Sequence, residues 1–133
     1  MNTLNNGTIL FLDDDTFLVK IYEEKFRDAG CHIQVAHAVD EAVRMLRGGF
    51  VPDVVIYDLE LKEKDGFQFM QILKEQHLAQ GAYCIALTNH SGENDREKAM
   101  ELGTHAYIVK AEMIPDEVVR MALEAVTKKA RGA

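Results

Sequence analysis

Apolar residues along this chain gather in short runs that stop at polar residues, and between those runs they recur at helical spacing. The first run, Ile9-Leu10-Phe11-Leu12, stops at Asp13-Asp14-Asp15. A short continuous apolar run closed by turn-forming residues suits a strand buried on both faces. Phe17, Leu18, Ile21, Tyr22 and Phe26 then predict an amphipathic helix, with Gly30 as its stop signal. Ile33 to Ala36 predict a weaker second strand, and Val39, Val43 and Leu46 a helix ended by Gly48-Gly49. A third strand, Val54 to Tyr57, opens after Pro52-Asp53 and stops at Asp58. Gly66 begins a helix with Phe67, Met70, Ile72 and Leu73 facing inward. Tyr83 to Leu87 predict a fourth strand ending at Thr88. A polar loop and a helix to Leu102 follow, with Gly103 as stop. Ala106 to Val109 predict a fifth strand ending at Lys110. Pro115 sits where a helix takes its first turn, and Val118, Ala122, Ala125 and Val126 supply that helix's apolar stripe.

Strands alternating with helices five times predict an α/β fold with a parallel sheet. Right-handed crossovers place helices on both faces of it. The 133 residues suit one domain, with a core from about residue 8 to residue 128 and no separate output domain. Apolar residues make up 47% of the chain and charged residues 28%, which excludes disordered and low-complexity classes. No apolar run approaches the length of a membrane helix. The stretch Met1 to Thr8 lacks the basic start and apolar middle of a signal peptide. Cys31 and Cys84 make no disulfide framework, so a reduced, cytoplasmic protein is expected. The net charge is −7, and the only basic concentration is Lys128, Lys129 and Arg131, so nucleic acid is not an expected partner.

The acidic residues change the picture by where they fall. In a parallel sheet the carboxyl ends of all strands share one edge, and ligands bind there. The predicted strand ends carry Asp13, Asp14, Asp58, Thr88 and Lys110. Close carboxylates stay ionised together only with a cation among them. All-oxygen donors suit a hard ion such as Mg²⁺, which keeps several waters and takes one or two carboxylates. Carboxylate, hard cation, lysine and hydroxyl together suit phosphoryl transfer, where catalysis is mainly positioning and charge neutralisation. Asp15 is expected to cap the first helix or to place a charge in its first turn rather than to bind a ligand, and Asp65-Gly66 to supply turn chemistry rather than catalysis.

On Ile9 to Asp15, Pro52 to Leu59, Asp65-Gly66, Ala86-Leu87-Thr88 and Tyr107 to Lys110, the sequence resembles the receiver domain of bacterial response regulators. The resemblance runs from Ile9 to about Val126, and in length the chain is similar to a stand-alone chemotaxis receiver. Spacing carries most of it. Asp14 to Asp58 is 44 positions, Asp58 to Thr88 is 30, and Thr88 to Lys110 is 22. The resemblance implies a flavodoxin-like five-stranded sheet in the order 2-1-3-4-5. It implies that Asp58 is the phosphoacceptor and that Asp14, Asp58 and the main-chain carbonyl of Glu60 bind Mg²⁺ (or Mn²⁺), with Asp13 acting mainly through water. Lys110 would hold a phosphoryl oxygen, Thr88 would swing toward the phosphoryl group, and Tyr107 would turn inward behind it. Glu60 and His90, two positions after the acceptor and the threonine, would meet and tune dephosphorylation. The implied donor is a phosphohistidine on a sensor histidine kinase or a histidine phosphotransfer protein. The implied output is a switched face on the fourth helix, fifth strand and fifth helix that binds a downstream protein or pairs two copies on activation.

The chain departs from the family after Lys110, where Ala111 replaces the usual proline and its cis peptide. A cis bond before alanine costs about 2.5–4 kcal/mol, against about 0.5–1 before proline. Energy therefore favours trans, which leaves open how Lys110 approaches Asp58. Lys62 stands where the loop after the acceptor often has proline. Two other readings compete with an active switch. One is a receiver relic that binds partners without phosphate. The other is an aspartyl-nucleophile phosphatase of the haloacid-dehalogenase type, whose Asp-x-Asp-x-Thr/Val signature Phe17 interrupts.

Overall fold

The computed structural model describes residues 6–130, so Met1 to Asn5 and the basic Arg131 lie outside the described residues. Five strands alternate with five helices: β1 Thr8–Leu12, α1 Thr16–Asp28, β2 His32–Ala36, α2 Val39–Arg47, β3 Val54–Tyr57, α3 Gly66–Gln76, β4 Tyr83–Thr88, α4 Glu93–Glu101, β5 Ala106–Val109 and α5 Pro115–Ala130. A short 3₁₀ turn, Lys110–Glu112, fills the segment between β5 and α5. The strands form one parallel sheet in the order β2-β1-β3-β4-β5. No described helix is long and apolar enough to cross a membrane.

The period of two along each strand divides the core. Ile9, Phe11, Val54, Ile56, Ile85, Leu87 and Ile108 face α1 and α5. Leu10, Leu12, Val55, Tyr57, Cys84 and Ala86 face α2 and α3. Both cysteines are free and buried.

Two helix faces differ from the expectation. In α1 the inward set is Val19, Tyr22 and Phe26, while Phe17 is 76% exposed. Phe17 directly follows the helix start, where Asp15 caps by accepting from the N–H groups of Phe17 and Leu18, and so points away from the sheet. In α3 the buried apolar side chains are Phe69, Met70 and Leu73, and Phe67 and Ile72 are only half-buried. Five apolar residues crowd that helix, and the pattern alone admits more than one inward face. The α4 helix is polar almost all round, with Ala99 its one buried residue. Lys98 of α4 lies 4.4 Å above the Phe67 ring of α3.

Candidate functional site

The sheet register sets the site. Leu12 pairs with Tyr57, and the Asp58 N–H donates to the Leu12 carbonyl at 3.1 Å. The two strands therefore release Asp13 and Asp58 side by side at the carboxyl edge. Val109 pairs with Thr88, so Lys110 leaves β5 two strands away from β3. At about 4.8 Å per strand, only a long flexible side chain crosses the end of β4. The Lys110 Nζ does so, lying 2.9 Å from Asp13 Oδ2 and 2.9 Å from Asp58 Oδ2. No cis peptide occurs among the described residues, so the Lys110–Ala111 bond is trans and Lys110 still reaches Asp58.

Asp13 and Asp58 are buried, with 1% and 4% exposure. Each spends its other oxygen on the backbone. Asp13 Oδ1 accepts from the Asp15 N–H at 2.9 Å, and Asp58 Oδ1 from the Glu60 N–H at 3.1 Å. Burial pushes the Asp13 carboxyl above its ordinary range, more than the Asp15 N–H and the Lys110 ammonium pull it down. Burial works against the Lys110 charge, but hydrogen bonds and attraction to Asp13 and Asp58 outweigh it and raise its pKa. Lys110 thus places one positive charge between these two carboxylates.

These groups open onto a cleft of about 370 Å³ lined by Asp13, Asp14, Asp15, Asp58, Glu60, Leu61, Lys62, Asn89 and Lys110. Asp14 is partly exposed there and has no ion-pair partner among the described residues. Among the described residues, no three acidic, histidine or cysteine side chains are gathered into a ready-made metal centre. The donor set instead fits a hard ion that takes two carboxylates and keeps its waters, as Mg²⁺ does.

The remaining candidates stand around the cleft, outside its lining. Thr88 is fully buried, and its hydroxyl accepts from the His90 N–H at 3.3 Å. The Tyr107 hydroxyl donates to the His90 carbonyl at 2.8 Å. His90 Nε2 lies 3.4 Å from Glu60, but its Nδ1 lies closer to Asp95 of α4, at 3.0 Å. Asp95 was not a sequence candidate. It sits five residues beyond His90 in the first turn of a polar helix, where acidic residues are common whatever they bind. The hydrogen bond to Asp95 first, and then that to Glu60, raise the His90 pKa above 6.5. An NMR titration of the His90 ring is expected to give a midpoint above that value, and Asp95→Ala to lower it. The pair's stabilising contribution is complete below about 6.5 and is lost as pH rises through the raised midpoint.

Gly66 carries a second signal that the sequence left as turn chemistry. A Cβ there would collide with the Asp58 carbonyl oxygen and lie 2.8 Å from Leu59 Cα. Asp65 caps α3 through a reciprocal bond pair with Gln68, and the Gly66 N–H donates to the Leu59 carbonyl, so this helix starts beside the loop that follows Asp58.

A family model described as the response regulator receiver domain matches residues 9–122. An uncharacterised 14.6 kDa protein from Leptolyngbya boryana is 30% identical over 121 residues, covering 91% of each chain. The transcriptional regulatory protein CpxR of Escherichia coli is 29% identical over 102 residues, which is 77% of this chain but 42% of that protein. A hybrid signal transduction histidine kinase of Dictyostelium discoideum is 27% identical over 124 residues, 85% of this chain and 6% of the kinase. The chain thus spans only a small or moderate part of those two larger relatives. In fold, a CheY-like receiver domain protein from Methanospirillum hungatei superposes with a TM-score of 0.85 at 18% identity, covering 95% of this chain and 98% of that one.

Proposed function

Because this chain belongs to the response regulator receiver domain family, we propose that Asp58 accepts a phosphoryl group from a phosphohistidine donor and that the chain works as a switch in two-component signalling. The observation that carries this reading is Lys110 Nζ, held 2.9 Å from both Asp13 and Asp58 at the cleft floor.

In the proposed step an Asp58 carboxylate oxygen bonds to phosphorus as the donor's phosphorus–nitrogen bond breaks, and the imidazole leaves with that electron pair. The Lys110 ammonium sits where phosphoryl oxygens arrive, so it neutralises charge without reorganising. Asp14, Asp58 and the Glu60 carbonyl would hold Mg²⁺, which when bound adds further neutralisation of phosphoryl charge. Asp13 keeps Lys110 in place and takes part in metal binding through water. The Thr88 hydroxyl must leave the His90 N–H to reach the phosphoryl group, and Tyr107 is positioned to follow because its hydroxyl holds the same residue's carbonyl. Such a two-position element is what a phosphorylation switch biases.

Phe17 and Ile114 stand exposed on the segments that leave β1 and β5 beside the cleft. They offer apolar surface to a donor protein, a sensor histidine kinase or a phosphotransfer protein. The output face is assigned to α4, β5 and α5, for a downstream protein or a second copy of the chain. Incubation with acetyl phosphate and Mg²⁺, followed by intact mass, is expected to show one added phosphoryl group. The gain should vanish in Asp58→Asn and in the presence of a chelator. Failure of the wild type to gain the group, together with failure to bind beryllium fluoride, would overturn this reading.

A further inference from the structure

His90 is held from three directions by three different elements. Its carbonyl accepts from Tyr107 of β5, Nε2 faces Glu60 of the loop after β3, and Nδ1 faces Asp95 of α4. Both ring nitrogens face carboxylates, which only accept, so the ring donates on both sides when it carries both protons. The result is a bracket, Glu60–His90–Asp95, that links the cleft wall to α4. The α4 helix itself has little else to fix it. Ala99 is its one buried residue, and Lys98 adds the contact over Phe67.

We propose that Asp95 is a positioning residue: by holding His90 against Glu60 it closes one side of the phosphorylation cleft to water, and so ties the lifetime of the phosphorylated state to the seating of α4. The inference rests on Asp58 being the phosphoacceptor. Hydrolysis there joins a water oxygen to phosphorus and breaks the bond from phosphorus to the Asp58 oxygen. The carboxylate is restored, and the water's protons leave with phosphate and solvent. With Asp95 gone the His90 ring keeps only its longer contact to Glu60 and loses its fixed direction. The bracket opens and water reaches phosphorus more often. A ligand or protein that draws Asp95 away by moving α4 has the same effect, so the surface of α4 and the hydrolysis site read each other.

The test is the rate of phosphoryl loss, by intact mass, after labelling with acetyl phosphate and Mg²⁺ and removal of the donor. Asp95 is a surface residue, so its substitution leaves folding intact. Asp95→Ala is expected to speed loss by about fivefold, and His90→Ala by a similar factor. The double variant should be no faster than His90→Ala alone. Asp95→Asn, which keeps an accepting oxygen without the charge, should fall between wild type and Asp95→Ala. An Asp95→Ala rate equal to wild type, or an equal acceleration in the His90→Ala background, overturns the proposal. A wild type that labels normally separates that outcome from failure of the phosphoacceptor reading, because a wild type that takes no label overturns both.

Discussion

Lys110→Ala is expected to lower metal-free stability by about 3 kcal/mol. Lys110 is the one ammonium among the described residues that is shared by two buried carboxylates, at 2.9 Å from each. Its removal leaves Asp13 and Asp58 facing each other with backbone N–H groups as their remaining partners. Breaking a buried ion pair from one side costs about 3–5 kcal/mol when the orphaned charge cannot escape. Here it escapes in part, because one carboxyl can take a proton, which sets the expectation at the lower end. For a domain of this size the loss corresponds to a melting temperature lower by roughly 10 °C. The sign with pH follows from linkage. An acid whose folded pKa is raised lowers stability at pH above its unfolded value. Burial already raises Asp13 from 3.8, and losing Lys110 raises it further. The gap between variant and wild type should therefore be widest near neutral pH and close as pH falls toward 4. The proposed Mg²⁺ should restore more stability to the variant than it adds to the wild type, since it supplies the missing charge. Thermal melts at pH 7 and pH 4.5, with and without Mg²⁺, check all three statements. A pH-independent gap would mean that packing of the lysine stem, rather than charge, is what is lost.

Gly66→Ala is expected to cost about 2–3 kcal/mol and to slow phosphorylation of Asp58 as well. The added methyl would meet the Asp58 carbonyl oxygen and Leu59 Cα, which are backbone, and Tyr57 Cδ2 at 2.9 Å. No flexible side chain is available to give way, so either the start of α3 or the acceptor loop must shift. Asp58 Oδ1 accepts from the Glu60 N–H of that loop, so a shift displaces the Asp58 carboxylate. A displacement of about 1 Å is enough to cost about 10²-fold in rate. Chemical denaturation gives the stability term, and initial rates of labelling with acetyl phosphate give the kinetic one. Native stability with native labelling would show that the helix start relaxes without moving Asp58.

Much of the fold follows from local pattern in the chain. Apolar runs closed by Asp13, Asp58, Thr88 and Lys110 define four strand ends, and parallel topology puts those ends on one edge. Asp13, Asp14, Asp58 and Lys110 were therefore legible as neighbours from position and spacing, whereas Asp65 was legible only as turn chemistry and not as the cap of α3. These features depend on residues near in sequence or on a topology that alternation dictates.

What only the tertiary structure decided depends on distance between elements. Lys110 reaches both Asp13 and Asp58 because β5 lies two strands from β3 and the side chain spans β4, a fact of register rather than composition. His90 binds Asp95 more closely than Glu60 because α4 begins beside the loop it leaves. The Tyr57 hydroxyl, fully buried, finds Thr104 at 2.6 Å across the packed layer. Phe17 points out and Phe69 points in because the caps and the sheet, not the hydrophobic count, set which helical face turns inward. Period and turn chemistry are properties of a short segment and can be read along the chain. The partner of a side chain is set by the rigid placement of elements far apart in sequence, and packing supplies that placement.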